Sequence, residues 1–174
     1  APSRFSPASI NGSSPCSRSR SSWSLIVRAF VVGIIRSDNN VDRLILFDID
    51  GTLLSAAGAA GPPFRAALES VYGTAGPMEG YSFAGRTDPQ IARELLELAG
   101  VEAQLVEARI DRVWELYLEG LRRSLDGARI HVLPGVRPLL DALEAERRAI
   151  LGLLTGNVRE GARLKLDAAG LGFD

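Results

Sequence analysis

The chain has 174 residues, 46% of them apolar and 24% charged, with a formal net charge of −1, which is ordinary for one globular domain or one domain with an insert. No run of about 18 apolar residues occurs, so no membrane-spanning helix is expected. One cysteine (Cys16) and one histidine (His131) exclude a disulfide framework and any multi-cysteine or multi-histidine metal centre, and near-neutral charge argues against nucleic-acid binding.

Residues 1–40 differ in composition from the rest of the chain. They hold 11 serines and five arginines against one acid, Asp38, whereas residues 41–174 carry a net charge of −5. An Arg- and Ser-rich, acid-poor stretch has the composition of a transit peptide, or of sequence translated from upstream of the true start, with a genuine structured extension as the third alternative. It is expected to lie outside the fold. A cytoplasmic protein is expected, or an organellar one if this leader is a targeting segment.

Arg43 to Phe47 reads as a buried parallel strand that opens into the polar loop Asp48-Ile-Asp-Gly-Thr52. Residues 56–63 are a Gly/Pro/Ala breaker, Pro63 to Tyr72 a helix, and 73–83 a loop. Asp88 is expected as an N-cap, with Pro89 at the first position of a helix that runs to about Leu98. A longer helix from about Ala103 to Leu125 carries Val106, Ile110, Val113, Tyr117 and Leu121 on one stripe, and Trp114 and Tyr117 read as packing groups. After the turn Leu133-Pro-Gly135 come a helix to Glu146, a second buried strand from Ala149 to Leu154, the polar turn Thr155-Gly-Asn157, and a helix to about Ala169. The chain starts on Ala and ends in what reads as an unfinished α/β unit, so a C-terminal truncation is expected. Strands alternating with helices predict an α/β fold whose site lies at the C-terminal ends of parallel strands. Both polar motifs fall at such ends.

Asp48 and Asp50 suit paired chemistry. A carboxylate at a strand end can attack an electrophile, and a second one two residues on can protonate a leaving group and then activate water. Gly51 permits a tight turn, amides of a loop can hold an anionic oxygen, and paired acids suit a hard cation such as Mg²⁺.

Leu44-Ile-Leu-Phe-Asp-Ile-Asp-Gly-Thr-Leu-Leu54 resembles the first motif of the haloacid dehalogenase superfamily, and Ile150-Leu-Gly-Leu-Leu-Thr155-Gly-Asn157 is similar to its second. The resemblance implies a Rossmann-like parallel-sheet core, incomplete here, over 41–55 and 130–174, with an α-helical cap inserted at 56–129, as in the phosphoglycolate-phosphatase-like branch. It implies an aspartyl-phosphate on Asp48, Asp50 as general acid/base, and Mg²⁺ held by Asp48 and Asp50. Thr155 and Gly156 would bind a phosphoryl oxygen, with Asn157, Gly51 and Thr52 beside them. Lys165, the sole lysine, is either the family's charge-neutralising lysine or a solvated residue of the closing helix. The family's acidic metal-binding loop is not found in this sequence. Within Phe83-Ala-Gly-Arg-Thr-Asp88, Arg86 could pair with a carboxylate or second phosphate of the substrate, or be a surface charge. The implied activity is Mg²⁺-dependent hydrolysis of a small phosphorylated metabolite; a phosphomutase and a non-catalytic binding domain of the same fold are the alternatives. Oligomeric state stays open.

Overall fold

The structure, a computed structural model, describes residues 29–37, 40–146 and 149–172. In chain order it contains strands β1 (Ala29–Ser37), β2 (Asn40–Phe47) and β3 (Leu54–Ser55), then helices α1 (Gly61–Tyr72), α2 (Asp88–Leu98) and α3 (Ala103–Asp126). After these come strand β4 (His131–Val132), helix α4 (Val136–Glu144), strand β5 (Ala149–Leu153) and helix α5 (Arg159–Ala168). The fold is α/β. Among the described residues no helix is long and apolar enough to cross a membrane.

The main sheet has the order β1-β2-β5. Strands β2 and β5 are parallel, in a register that pairs Arg43 with Ala149 and Phe47 with Leu153. A parallel pair needs a long crossover, and here it comprises all of residues 48–148. Ile45 and Phe47 face the interior of the fold. On the opposite face, Leu46 lies over Gly152 so closely that a β-carbon there would meet its Cδ2 at 2.8 Å. Ile150 of β5 and Leu154 just after it remain 46% and 54% exposed.

β1 corrects one expectation. Residues 29–37 fall within the leader set apart from the fold, yet they pair antiparallel with β2 from Ala29–Phe47 to Ser37–Asn40. The run Ala29-Phe-Val-Val-Gly-Ile-Ile35 is rich in β-branched residues, which favours a strand once β2 offers an unpaired edge. The sheet is therefore mixed rather than wholly parallel. Residues 1–28, with Cys16 and the transit-peptide-like stretch, lie outside the described residues, as do Phe173 and Asp174.

Helices α1–α3 sit between β3 and β4, which pair antiparallel through Leu54–Val132 and Ser55–His131. This two-strand ribbon is the neck of the insert, and His131 serves it as a connector. α1 and α3 run antiparallel, because Pro63 meets Gly120 at one end and the Tyr72 hydroxyl donates to the Val106 carbonyl (2.7 Å) at the other. The stripe read from the sequence, Val106 to Leu121, is buried and extends to Leu125. One apolar cluster runs from Phe47 and Ile49 through Leu53 and Leu54 into Leu68, Leu95, Val113 and Leu121 of the insert. On the sheet side, α4 contributes Val136 and Leu140 and α5 contributes Ala162 and Leu166. Arg137 of α4 ties down the end of α5 by donating to the carbonyls of Ala169 (2.8 Å) and Gly170 (3.2 Å).

Leu121 is fully buried, and its Cδ2 lies over Gly161 of α5, so it joins the insert to the α/β layer. Leu121→Ala is expected to lower unfolding free energy by about 2–5 kcal/mol, read from urea denaturation.

Candidate active site

The Leu154 amide donates to the Phe47 carbonyl at 2.8 Å, so the parallel ladder carries both chains to the same height. Asp48 and Thr155 then leave the sheet side by side. Such an edge is where an open α/β sheet presents side chains to a ligand. Beyond Asp48 the chain dips, with Ile49 fully buried, and turns at Gly51, whose φ of 76° is left-handed and strained for any residue with a β-carbon.

A cavity of about 460 Å³ lies over this edge, between the strand ends and the helical insert. Asp48, Asp50, Thr155, Gly156, Asn157 and Lys165 line one side of it, and Arg86 lies on the other. The sequence reading is corrected at Gly51 and Thr52, neither of which lines the cavity. Their amides are held inside the turn, Gly51 donating to the Leu54 carbonyl (2.9 Å) and Thr52 to that of Ile49 (3.2 Å), so neither is free for an anion.

Lys165 is only 4% exposed, which rejects its reading as a solvated residue. It falls on the buried stripe of α5 with Ala162 and Leu166, and that phase points its stem inward. A buried ammonium is costly unless paired. Here Nζ donates to Asp50 Oδ1 (2.9 Å) and Oδ2 (2.7 Å) and to Asn157 Oδ1 (2.5 Å). Asn157 completes the network by donating from Nδ2 to Asp50 Oδ2 (2.8 Å) and to Thr155 Oγ1 (2.7 Å). Four of the expected site residues thus form one hydrogen-bonded group. Asp48, half-buried, makes no hydrogen bond to any described side chain and faces the cavity.

The insert reaches the strand ends through Asp88. Its amide donates to the Gly156 carbonyl (2.7 Å), and its Oδ2 accepts from the Val158 amide at the start of α5 (2.9 Å). The N-cap expected at Asp88 is instead Thr87, whose hydroxyl accepts from the Gln90 amide, leaving Asp88 free to bridge the two layers. Burial pushes the Asp88 carboxyl above its ordinary value; the Val158 amide and Lys165 oppose this and Asp50 adds to it. Gly156 permits the close approach, since a β-carbon there would lie 2.3 Å from the Arg86 carbonyl oxygen.

Arg86 itself is engaged. Nε donates to Glu94 Oε2 (2.9 Å), an Nη donates to the Ser82 carbonyl (2.8 Å), and the guanidinium lies 5.3 Å from the centre of the Tyr81 ring. Glu94 also accepts from the Tyr81 hydroxyl (2.5 Å) and from Gln90 (2.6 Å), and these bonds hold its carboxyl below the usual range, Tyr81 contributing most. Tyr117 is more than a packing residue. It stacks edge-on against Phe64 at 5.3 Å and also lines the cavity. Its position on the apolar stripe of α3 hid this second role from the sequence. Burial, with Asp88 and Asp50 nearby, pushes its hydroxyl well up.

Residues 45–173 match the sequence model of a family described as haloacid dehalogenase-like hydrolase. The chain belongs to that family. No curated protein matches the chain. Family membership makes it a hydrolase, with the parallel pair β2–β5 as the heart of its α/β core.

Gly156→Ala forces the backbone of the insert away from the strand ends and is expected to lower the hydrolase's stability by about 1–3 kcal/mol in urea denaturation. Asp88→Ala leaves the Val158 amide without its acceptor and should cost about 1–2 kcal/mol. Asp88→Asn keeps an acceptor and should cost less. Because burial raises the Asp88 carboxyl, the folded protein holds that proton more readily than the unfolded one. The associated stability is present at low pH and is lost as pH rises through the raised value. Unfolding midpoints measured across the acid range should show a flatter decline for Asp88→Asn.

Proposed function

We propose that the chain is a Mg²⁺-dependent phosphatase that hydrolyses a small phosphate monoester through a phosphoryl group carried on Asp48. The observation that carries this reading is the contrast within one acidic pair. Asp50 is held by Lys165 and Asn157, while Asp48 makes no side-chain hydrogen bond and faces the cavity. An unengaged carboxylate is the better nucleophile, and an anchored one keeps its place for proton transfer.

In the first step an Asp48 oxygen attacks phosphorus, the bond from phosphorus to the alcohol oxygen breaks, and that oxygen takes a proton from Asp50. In the second, Asp50 removes a proton from water, the water oxygen attacks phosphorus, and the bond to Asp48 breaks to release inorganic phosphate. For Asp50 to carry the proton its contact with Lys165 has to loosen. A phosphoryl group between Asp48, Thr155 and Lys165 offers Nζ another anion, and Asn157 Oδ1 keeps the ammonium in position. The Thr155 hydroxyl, which now accepts from Asn157, has its own proton to donate to a phosphoryl oxygen.

The donor set fits a hard divalent cation. The Asp48 carboxylate and the Asp50 main-chain carbonyl would hold it, both residues lining the cavity, and Mg²⁺ is commonly held by one or two carboxylates together with substrate phosphate. When bound, Mg²⁺ supplies positive charge against the phosphoryl oxygens. The same acidic pair would serve a phosphomutase, which differs only in passing the phosphoryl group to a second alcohol.

Hydrolysis of p-nitrophenyl phosphate in the presence of Mg²⁺ tests the reading. Asp48→Asn is expected to abolish turnover with unchanged circular dichroism. Asp50→Asn should lower kcat by about 10²–10⁴-fold, the usual span for a lost general acid/base. A folded protein without turnover, or an Asp48→Asn variant as active as the parent, would refute it.

A further inference from the structure

The insert's side of the cavity differs from its floor. Phe64, Met78, Phe83 and Ile91 present apolar surface there, Phe83 being half exposed and stacked edge-on against Tyr81 at 5.2 Å. Among the described residues, Arg86 is the sole cation on that side; its charge is already met by Glu94, and its Nε and one Nη donate to Glu94 and Ser82. Asp88 adds a carboxylate to the same wall. A second anionic group on the substrate would find no unpaired cation on that side and a nearby negative charge, and desolvating it there is costly.

One polar group on this wall is uncommitted. Tyr117 is 1% exposed, its ring packs against Phe64, and its hydroxyl makes no hydrogen bond to any described residue. Its oxygen is not sealed from the cavity, so water can bond it there, and an apolar ligand displacing that water would cost it the hydrogen bond. A neutral oxygen on a ligand that fills the cavity would restore one.

Resting on the phosphatase reading, we infer that the alcohol half of the substrate is uncharged and largely apolar, with room for one hydrogen bond to the Tyr117 hydroxyl. Carboxylate-bearing and doubly phosphorylated esters are selected against. Arg86 is a structural strut of the insert, not a receptor for a second anion.

Two hydrolysis-resistant phosphonates test this on the intact chain in Mg²⁺ buffer, by calorimetry. Benzylphosphonate has an apolar, uncharged body; phosphonoacetate carries a carboxylate. Benzylphosphonate is expected to bind at least about tenfold more tightly, the effect of burying one ring-sized apolar group. Glu94→Gln keeps an acceptor for Arg86 and Tyr81 but removes the neutralising charge. It should narrow that ratio by about threefold through better phosphonoacetate binding, the scale of one partly exposed ion pair. Equal or reversed affinities in the parent chain, or no binding of either, overturn the inference. So does a ratio that Glu94→Gln leaves unchanged in a folded protein. Turnover of p-nitrophenyl phosphate, measured alongside, separates the two failures: activity with the wrong preference removes only the substrate class, whereas preferential binding without turnover removes only the phosphatase reading.

Discussion

The buried ammonium of Lys165 is the constraint on which the site depends. A charge at 4% exposure has to be met by fixed acceptors, and the geometry supplies three of them from two segments. Asp50 comes from the loop after β2, and Asn157 from the loop after β5. Satisfying Lys165 therefore pins α5, the first loop and the second loop to one another. It also decides which member of the Asp48/Asp50 pair is anchored. Removing the Asp50 carboxylate would leave an unpaired buried charge, which is costlier than losing an ordinary hydrogen bond.

A second constraint closes the cavity from above. The insert does not simply rest on the α/β layer. It is bonded to it at the loop that carries the phosphate-binding candidates, through the Asp88 amide on Gly156 and the Asp88 carboxylate on Val158. The same few residues thus define the floor of the site and the attachment of its roof. A change at Gly156 acts on both, because the Arg86 carbonyl occupies the space a β-carbon would need. Beside this junction the cavity stays open to solvent, with the side chain of Asp50 46% exposed and Phe83 exposed at its edge.

Much of this was legible in the sequence where local chemistry and periodicity agree. The apolar runs ending in Asp48-Ile-Asp50 and Thr155-Gly-Asn157 marked two parallel strands, and the stripe on α3 marked a buried face. What the sequence left open depended on contacts distant along the chain. Lys165 could be solvated or catalytic until the phase of α5 and the position of Asp50, 115 residues away, came together. Asp88 looked like a helix cap because capping is the commonest use of an Asp before a Pro, whereas its partner Val158 lies 70 residues on. Gly51 and Thr52 belong to the family motif, but in this chain their amides close the turn. Tyr117 was read as core because half of its role is core. The leader was set aside on composition, which carries no information about whether β2 has an edge to offer β1.

The balance of charge in the cavity bears on what it can accept. Asp48, Asp50 and Asp88 stand against Lys165 alone, because Arg86 is matched by Glu94. Three carboxylates and one ammonium leave a local excess of negative charge, and a phosphate ester would add to it. In a partly desolvated site such repulsion is screened far less than in water. For the proposed phosphoryl chemistry, a cation held by the oxygens of Asp48 and Asp50 would offset that repulsion. The same excess works against a carboxylate or second phosphate in the upper part of the cavity. One electrostatic imbalance therefore favours both a divalent cation for the proposed reaction and an uncharged alcohol as its leaving group.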